Sequence, residues 1–257
     1  MSETAHAGRL PPRWGRIVVA LLLFGVAFGA IEAAVVVYLR TIYEPIRARL
    51  YPGNPPGEVF AIVRPDQLEA EGKEALRPIL VELVREAATL LMLAAVALAA
   101  ARNFREWFAA FAVAFGLWDI FFYIFLRVFL DWPQSLFTWD LLFLLPVPWA
   151  GPVISPVIVS VSMIAAGTAV LWRECAERPI RIAWYHWTAV VVGGLTIIIA
   201  FSWDFRNIAG GGLPNPFNWP LFLLGEAVGI AGFLHAWRQG SVTIPAAERC
   251  TVRSRAR

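Results

Sequence analysis

The sequence predicts an all-α polytopic membrane protein, a six-helix transmembrane bundle with one proline-rich segment that is re-entrant or interfacial. The first observation is composition, because 59% of the 257 residues are hydrophobic and only 16% are charged, against roughly 25% charged residues in a soluble domain. The second is a set of six apolar runs, each long enough to cross a hydrocarbon core that takes roughly 20 helical residues. The third is the concentration of arginines in the connections and at the termini.

The apolar runs define the spans, which we expect to be helical because a helix satisfies its own backbone inside a bilayer. The first run exceeds the roughly 7–15 apolar residues of a cleaved signal peptide. Glu32 and Tyr38 also stand where a cleavage site would need small residues, so this run is predicted to remain as an anchor. The predicted spans are 17–39, 79–101, 107–129, 154–172, 182–203 and 219–237, within a single transmembrane domain of residues 1–240.

Positive charge predicts the orientation, since short cytoplasmic loops carry an excess of lysine and arginine. Most arginines fall on the side of the two termini, which are therefore predicted to be cytoplasmic, with the protein in the plasma (inner) membrane. Residues 241–257 are predicted to form a basic, disordered cytoplasmic tail. The arginines on this side are Arg9, Arg13, Arg16, Arg102, Arg105, Arg173, Arg178, Arg181, Arg238 and those of the tail.

These arginines indicate contact with the lipid bilayer rather than a nucleic-acid surface, because the apolar spans leave no soluble fold to present a basic face. The two cysteines, Cys175 and Cys250, lie outside the spans without a metal-binding or disulfide spacing. No metal site is predicted, and no motif identifies a cofactor.

Two connections are predicted to contain further structure. Between the first two spans, Pro65 to Leu76 has the pattern of a short amphipathic helix able to lie on the membrane surface. The segment 131–155 is apolar but holds four prolines, which forbid a straight helix. We expect a short re-entrant or interfacial helix at about 135–145, then an extended Pro146 to Trp149 stretch. Ser155 and Asn218 are predicted to cap the fourth and sixth spans.

Ionisable residues inside the spans share one level. Placing one charged side chain at the centre of a span costs at least about 2.5–3.5 kcal/mol of insertion free energy, so each such residue is a candidate for a structural or functional role. Glu32 and Glu226 both lie seven residues from the outer end of a span, a depth of about 10 Å. Spacings of three and four residues place Glu82, Arg85, Glu86 and Thr89 on one helix face, and Asp119, Tyr123 and Arg127 on another.

Five deep carboxyl groups face a single guanidinium, Arg85, which gives a nominal charge of −4. Such an excess cannot stay ionised in a dry interior, so protons, a cation or a polar ligand must compensate it. The Trp118-Asp119 pair is the strongest single candidate because it lies in mid-span. The candidates for binding or for carrying protons are Glu32, Glu82, Arg85, Glu86, Asp119, Tyr123, Arg127 and Glu226, with Asp140, Asp204 and Arg206 as secondary candidates.

The same residues have a structural interpretation, in which Arg85 between Glu82 and Glu86 is an ion-pair lock between helices. Phosphate-loop, zinc-peptidase and serine-hydrolase motifs do not occur in the sequence. The only histidines in the spans, His186 and His235, are interpreted as polar anchors near the cytoplasmic ends rather than as haem ligands.

Three functions remain open. The first hypothesis is binding or transport of a small polar or cationic solute, with or without protons. The second is a membrane-embedded enzyme that acts on a lipid or isoprenoid-linked substrate at the outer leaflet, with two carboxyl groups as general acid and base. The third is a structural subunit or assembly factor that docks a membrane-protein partner or a second copy of the chain.

Overall fold

The computed structural model describes residues 11–55 and 57–240, and it is mostly helical, with six helices long and apolar enough to cross a membrane. The protein is therefore a multi-pass membrane protein. The basic tail 241–257, for which disorder is predicted, lies outside the described residues. The membrane-length helices are α1 (Pro12–Leu50), α3 (Lys73–Ala100), α4 (Phe104–Leu130), α5 (Ile154–Cys175), α6 (Trp184–Phe201) and α8 (Trp219–Arg238). The short elements are α2 (Pro65–Glu71), β1 (Trp139–Phe143), β2 (Trp149–Pro152) and α7 (Phe205–Ala209).

We call the end of the bundle where α1 begins and α8 ends the inner end, and the opposite end the outer end. All six predicted spans correspond to helices, but α1 continues eleven residues beyond the predicted end at 39, because apolar character marks the membrane and not the end of a helix. Asn218 caps α8 as predicted, accepting a hydrogen bond from the Leu221 N–H at 3.2 Å. Ser155 is not a cap, since α5 begins at Ile154 and the Ser155 hydroxyl donates to the Pro152 carbonyl at 2.6 Å.

Helix α4 is the centre of the bundle, with α1, α3 and α5 packed around it. Small residues allow the close approach. A Cβ added at Gly25 of α1 would lie 2.6 Å from the Leu117 Cβ of α4, and one at Gly167 of α5 would lie 2.6 Å from the Ala109 carbonyl oxygen. Larger side chains at either glycine would force the helices apart.

Helices α6 and α8 form a second tightly packed pair. A Cβ at Gly193 of α6 would lie 2.7 Å from the Gly225 carbonyl oxygen and 2.9 Å from the Gly229 backbone nitrogen of α8. The Gly225 and Gly229 spacing therefore marks a real helix contact. This pair joins the rest of the bundle through α5 and through β2.

The segment before α5 is a β-hairpin, and the helix predicted at 135–145 is wrong. Strand β1 pairs antiparallel with β2, with Trp139 opposite Pro152 and Asp140 opposite Gly151. Pro146 and Pro148 lie in the reversal between the strands, where proline cannot continue a helix. Pairing between the two strands gives the backbone N–H and C=O groups partners that an extended single strand would lack.

The tip of the hairpin reaches the middle of the bundle. The Phe143 ring lies 6.3 Å from the ring of Trp118, halfway along α4, and 5.5 Å from the ring of Trp149. This depth fits the re-entrant alternative for the segment rather than the interfacial one.

The outer connection between α1 and α3 folds over the hairpin. Phe60 and Ala61 are buried, and Phe60 forms an apolar cluster with Ala150 of the hairpin and Ile208 of α7. Helix α2 is shorter than the helix predicted to run to Leu76, because Gly72, at φ 117°, separates it from α3. The outer half of the bundle is thus covered by protein.

Ion pairs join neighbouring helices at the inner end of the bundle. Arg13 of α1 donates to both carboxylate oxygens of Glu106 on α4, at 2.6 and 2.7 Å. Arg105 donates to Glu174 of α5 at 2.7 Å. Arg13 and Arg105, predicted only as orientation signals, therefore also bind neighbouring helices together.

The α6–α8 contact predicts a matched pair of substitutions. Gly193→Ala should lower the free energy of unfolding in detergent micelles by about 1–3 kcal/mol, because its methyl group overlaps the α8 backbone. Gly194→Ala is the control, since a Cβ there meets nothing within 4 Å. Reversible unfolding in sodium dodecyl sulfate, followed by circular dichroism, measures both; equal stability of the two variants would contradict the packing.

Candidate functional site

The structure places the predicted acidic residues in two separate groups in the outer half of the bundle. The Arg85 cluster consists of Glu32, Glu82, Arg85 and Thr89, between α1 and α3. The Asp119 cluster consists of Asp119, Tyr123, Asp140 and Ser160, between α4, the hairpin and α5. Glu86 and Glu226 lie outside both groups.

The Arg85 cluster is an ion-pair lock between helices. The Arg85 Nε donates to Glu82 at 2.8 Å, one turn away on α3, and the guanidinium also pairs with Glu32 of α1. The Thr89 hydroxyl donates to the same Glu32 carboxylate at 3.1 Å. Two carboxylates around one guanidinium leave a single excess negative charge, so most of the charge in this cluster is compensated internally.

Glu86 lies on the same face of α3 but binds the hairpin. Its carboxylate accepts hydrogen bonds from the backbone N–H of Leu144 at 2.9 Å and of Leu145 at 3.1 Å. Both residues lie beyond the end of β1, where strand pairing offers their N–H groups no acceptor. The buried Glu86 side chain therefore anchors the hairpin tip.

The Asp119 cluster differs because no guanidinium binds its carboxyl groups in the described part of the chain. The Ser160 hydroxyl donates to Asp119 at 2.8 Å, and the Tyr123 phenol donates to Asp140 at 3.0 Å. All four side chains are buried. The positive charge of Arg40 acts on Asp140 electrostatically, while its guanidinium lies 4.3 Å from the centre of the Trp132 ring and donates to the Gly57 carbonyl at 3.1 Å.

Burial without a bound cation favours the protonated form of a carboxyl group. On the hairpin, burial raises the pKa of Asp140 to about 6, although the hydrogen bond from Tyr123 and the charge of Arg40 act in the opposite direction. Asp119 is close enough to interact electrostatically with Asp140.

The remaining primary candidates lie apart. The hydroxyl of Ser162 on α5 hydrogen bonds to the carboxyl group of Glu226 on α8. The spacing on α4 predicts a contact between Arg127 and Tyr123. Arg127 instead donates to the Asp131 carbonyl at 2.9 Å and pairs with the Asp131 carboxylate. Arg127 therefore closes the end of α4.

The secondary candidates Asp204 and Arg206 belong to an outer loop. Together with Trp203, Phe205 and Asn207 they line a surface cavity of about 390 Å³. Asp204 accepts hydrogen bonds from the backbone and side chain of Asn215, both at 2.8 Å. Burial acts to raise the pKa of Asp204, but these hydrogen bonds and one from Asn207 outweigh it and hold the pKa below its usual value. This carboxylate stabilises the loop.

Several contacts were not predicted from the sequence. Ser160 and Ser162 carry hydroxyl groups within a largely apolar span, and this is a signal that could have identified them as partners of acids. The N–H groups of Leu144 and Leu145 gave no such signal, because any residue type carries a backbone donor. Glu106, which binds Arg13, follows an N-cap and was not distinguishable from an ordinary first-turn acid.

The two span histidines form a pair rather than separate anchors. The His186 Nε2 lies 3.0 Å from the His235 Nδ1, and the Ala183 N–H donates to the His186 Nδ1 at 2.9 Å. Because Nδ1 of His186 accepts, its Nε2 carries the hydrogen and donates to His235. This hydrogen bond links α6 to α8 and occupies a ring nitrogen of each histidine.

Two buried donors flank the hairpin tip. The indole N–H groups of Trp118 and Trp149 have no hydrogen-bond partner among the described residues, and both rings pack against Phe143. An unpaired buried donor costs about 1–3 kcal/mol, which makes it a place for an acceptor atom. Trp118 directly precedes Asp119 on α4, although consecutive side chains of a helix point in different directions.

The chain matches no protein-family model, and no curated protein or solved structure shows significant similarity to it. The geometry of the site is therefore the basis for assigning a function.

The raised pKa of Asp140 predicts a pH dependence of stability. The folded protein binds this proton more tightly than the unfolded chain, whose Asp titrates at about 3.9. The stabilising contribution is fully present below about pH 4 and is lost as the pH rises through about 6. Asp140→Asn should remove this part of the pH dependence of the unfolding free energy, while Asp131→Asn, at an exposed position, should retain it. An unchanged pH profile for Asp140→Asn would contradict the assignment.

The Glu86 contact predicts a local loosening of the hairpin. Glu86→Ala leaves two backbone N–H groups without an acceptor, which should lower the free energy of unfolding by about 1–3 kcal/mol for each group. Hydrogen exchange at Leu144 and Leu145 should accelerate in this variant. Glu74→Ala, at the exposed start of α3, is the control; if its hairpin exchanges as fast as that of Glu86→Ala, Glu86 is not the anchor.

Proposed function

We propose that the protein binds a small cationic or polar solute in the outer half of the bundle and that binding is coupled to protons at the Asp119 cluster. The observation that carries this proposal is the environment of Asp119 and Asp140. Both carboxyl groups are buried and interact with each other. In the described part of the chain they accept hydrogen bonds from the hydroxyl groups of Ser160 and Tyr123 and from the Leu141 backbone N–H, and none from a cationic group. A cation that replaced the bound proton would gain two carboxylate ligands.

The oxygen atoms of the cluster suit a hard or ammonium-type cation. Two carboxylates, the Ser160 hydroxyl and the Tyr123 phenol are hard oxygen ligands, which favour such cations over soft metals. The Arg85 cluster lies across α4 and retains one excess negative charge, which adds to the attraction. Ionisable residues at this depth in membrane proteins commonly mark ion or proton pathways.

Access is proposed from the outer side. The hairpin and the connection containing Phe60 cover the cluster there, so the hairpin tip must move, and its release from Glu86 is the step that opens the site. Towards the inner end, aromatic rings around Phe115 and Trp118 and the Arg13–Glu106 ion pair fill the space between the helices. These features support binding and proton exchange at the outer side more than a continuous transport path.

We further propose the plasma (inner) membrane as the location, with the inner end of the bundle facing the cytoplasm. The support is the arginine distribution, because Arg16, Arg102, Arg178 and Arg238 are exposed at the inner end. Short loops rich in arginine remain on the cytoplasmic side during insertion.

A structural role in a membrane complex is the second candidate. The Arg85 cluster favours it, because its guanidinium, carboxylates and hydroxyl bind one another and Glu86 is occupied by the hairpin. In that case the acids would stabilise the helices, and the protein would act through a partner surface. An enzyme acting on a lipid-linked substrate draws no comparable support from these contacts.

Carbodiimide labelling separates the candidates, since these reagents modify protonated carboxyl groups in apolar surroundings. In purified protein, Asp140 and Asp119 should be labelled at pH 6, and Asp140 labelling should fall at least fivefold by pH 8. Glu32, paired with Arg85, is the internal control and should remain unlabelled. Sodium or an organic ammonium ion should protect the two aspartates if a cation replaces the proton.

The decisive variant is Asp119→Asn, with Asp131→Asn as the exposed control. Asp119→Asn should abolish the protection of Asp140 by the cation without lowering the amount of folded protein. Asp131→Asn should leave both the protection and the amount of folded protein unchanged. If Asp119 and Asp140 resist labelling at every pH, they are sealed in packing and the structural role takes precedence. Loss of folded protein in Asp119→Asn would likewise assign Asp119 to the fold.

A further inference from the structure

The inner ends of α5, α6 and α8 bring arginines from separate parts of the chain into one surface. We call Arg178, Arg181 and Arg238 the arginine patch. The Arg178 N–H donates to the Arg173 carbonyl at 3.0 Å, which folds the α5–α6 connection back over the end of α5. The Arg181 N–H then meets the Gly240 carbonyl at 3.4 Å, just after α8. All three side chains of the patch are exposed.

The positive charge of the patch is poorly compensated. Glu174, the nearest acid on α5, is engaged by Arg105 at 2.7 Å and by Asn103 at 3.3 Å. Of the described acids in this connection, Glu177 alone is exposed. Among the described residues, three exposed guanidinium groups therefore share this surface with one exposed carboxylate, and a negatively charged partner fits it.

Aromatic side chains fix the level of the patch relative to a membrane. Trp172 at the end of α5 is 39% exposed, and Trp184 at the start of α6 is 77% exposed. Exposed indole rings at the ends of membrane helices lie at the membrane–water interface, the level of the lipid headgroups. The patch and the lipid phosphates are thus at the same depth.

Apolar surface continues from the patch towards the middle of the bundle. Val191 of α6 is 55% exposed and Leu234 of α8 is 44% exposed. The combination of guanidinium groups at headgroup level and apolar side chains below them matches an amphiphile with an anionic head.

We infer that the arginine patch binds the headgroup of an anionic phospholipid, with the phosphate held by Arg181 and Arg238. A guanidinium offers a planar pair of N–H donors that matches two phosphate oxygens. Basic surfaces at the cytoplasmic end of membrane helices are a recognised binding mode for anionic lipids. This inference is independent of the proposed solute site, which lies at the other end of the bundle.

Native mass spectrometry of the full-length protein tests the inference. The protein is released from detergent micelles that contain equal amounts of phosphatidylglycerol and phosphatidylcholine. Retention of phosphatidylglycerol should exceed retention of phosphatidylcholine at least tenfold. Arg181→Gln/Arg238→Gln should reduce this preference at least fivefold, because both phosphate donors are lost.

The matched control is Arg16→Gln/Arg102→Gln, which removes two exposed arginines from the same end of the bundle and should retain the preference. Equal losses in both double variants would show general attraction to positive charge and overturn the site. Displacement of the lipid by 10 mM inorganic phosphate would show a free-anion site instead and would also overturn it. Should the test variant fail to fold, Arg178→Gln provides the same comparison, with at least a twofold loss expected.

Discussion

The contact between Glu86 and the hairpin tip is the interaction on which the outer half of the protein depends. A hairpin that enters a membrane bundle must satisfy every backbone N–H and C=O group without help from water. Strand pairing satisfies the groups that face the partner strand, and the carboxylate of Glu86 accepts hydrogen bonds from the N–H groups of Leu144 and Leu145 at the turn. The burial of Glu86 on α3 is thus explained by the hydrogen bonds that it accepts from these two backbone N–H groups.

The position of the hairpin determines the rest of the site. Asp140 lies on β1, opposite Gly151, and reaches the Tyr123 phenol because the tip is held deep in the bundle. The close packing of α5 against α4 also positions the site. A Cβ at Gly116 would lie 2.6 Å from the Ser160 carbonyl oxygen. This glycine lets α5 approach closely enough for the Ser160 hydroxyl to bind Asp119, only three residues further along α4.

The two ends of the bundle use charge differently. At the inner end, arginine and glutamate pair directly between helices, and arginines in excess of these pairs face outward to the surface. In the outer half, one guanidinium pairs with two carboxylates, and the carboxyl groups of the Asp119 cluster accept hydrogen bonds from hydroxyl groups and a backbone N–H, with no guanidinium bound to them in the described part of the chain. Ion pairs therefore join helices at both ends, and the outer half also holds buried carboxyl groups to which no guanidinium is bound in the described part of the chain.

The sequence by itself determined the six membrane helices, because apolar runs of sufficient length have no other stable place than a bilayer. It also determined the level of the acids, since position along a helix sets depth. Only the tertiary structure decided which acids lie together in a cluster. The partners of Glu86 and Asp140 are set by the hairpin, and its strand pairing leaves no periodic pattern in the sequence. The tertiary structure likewise decided that Ser160 binds Asp119 and that His186 binds His235, since contacts between helices arise from packing and not from spacing within one helix.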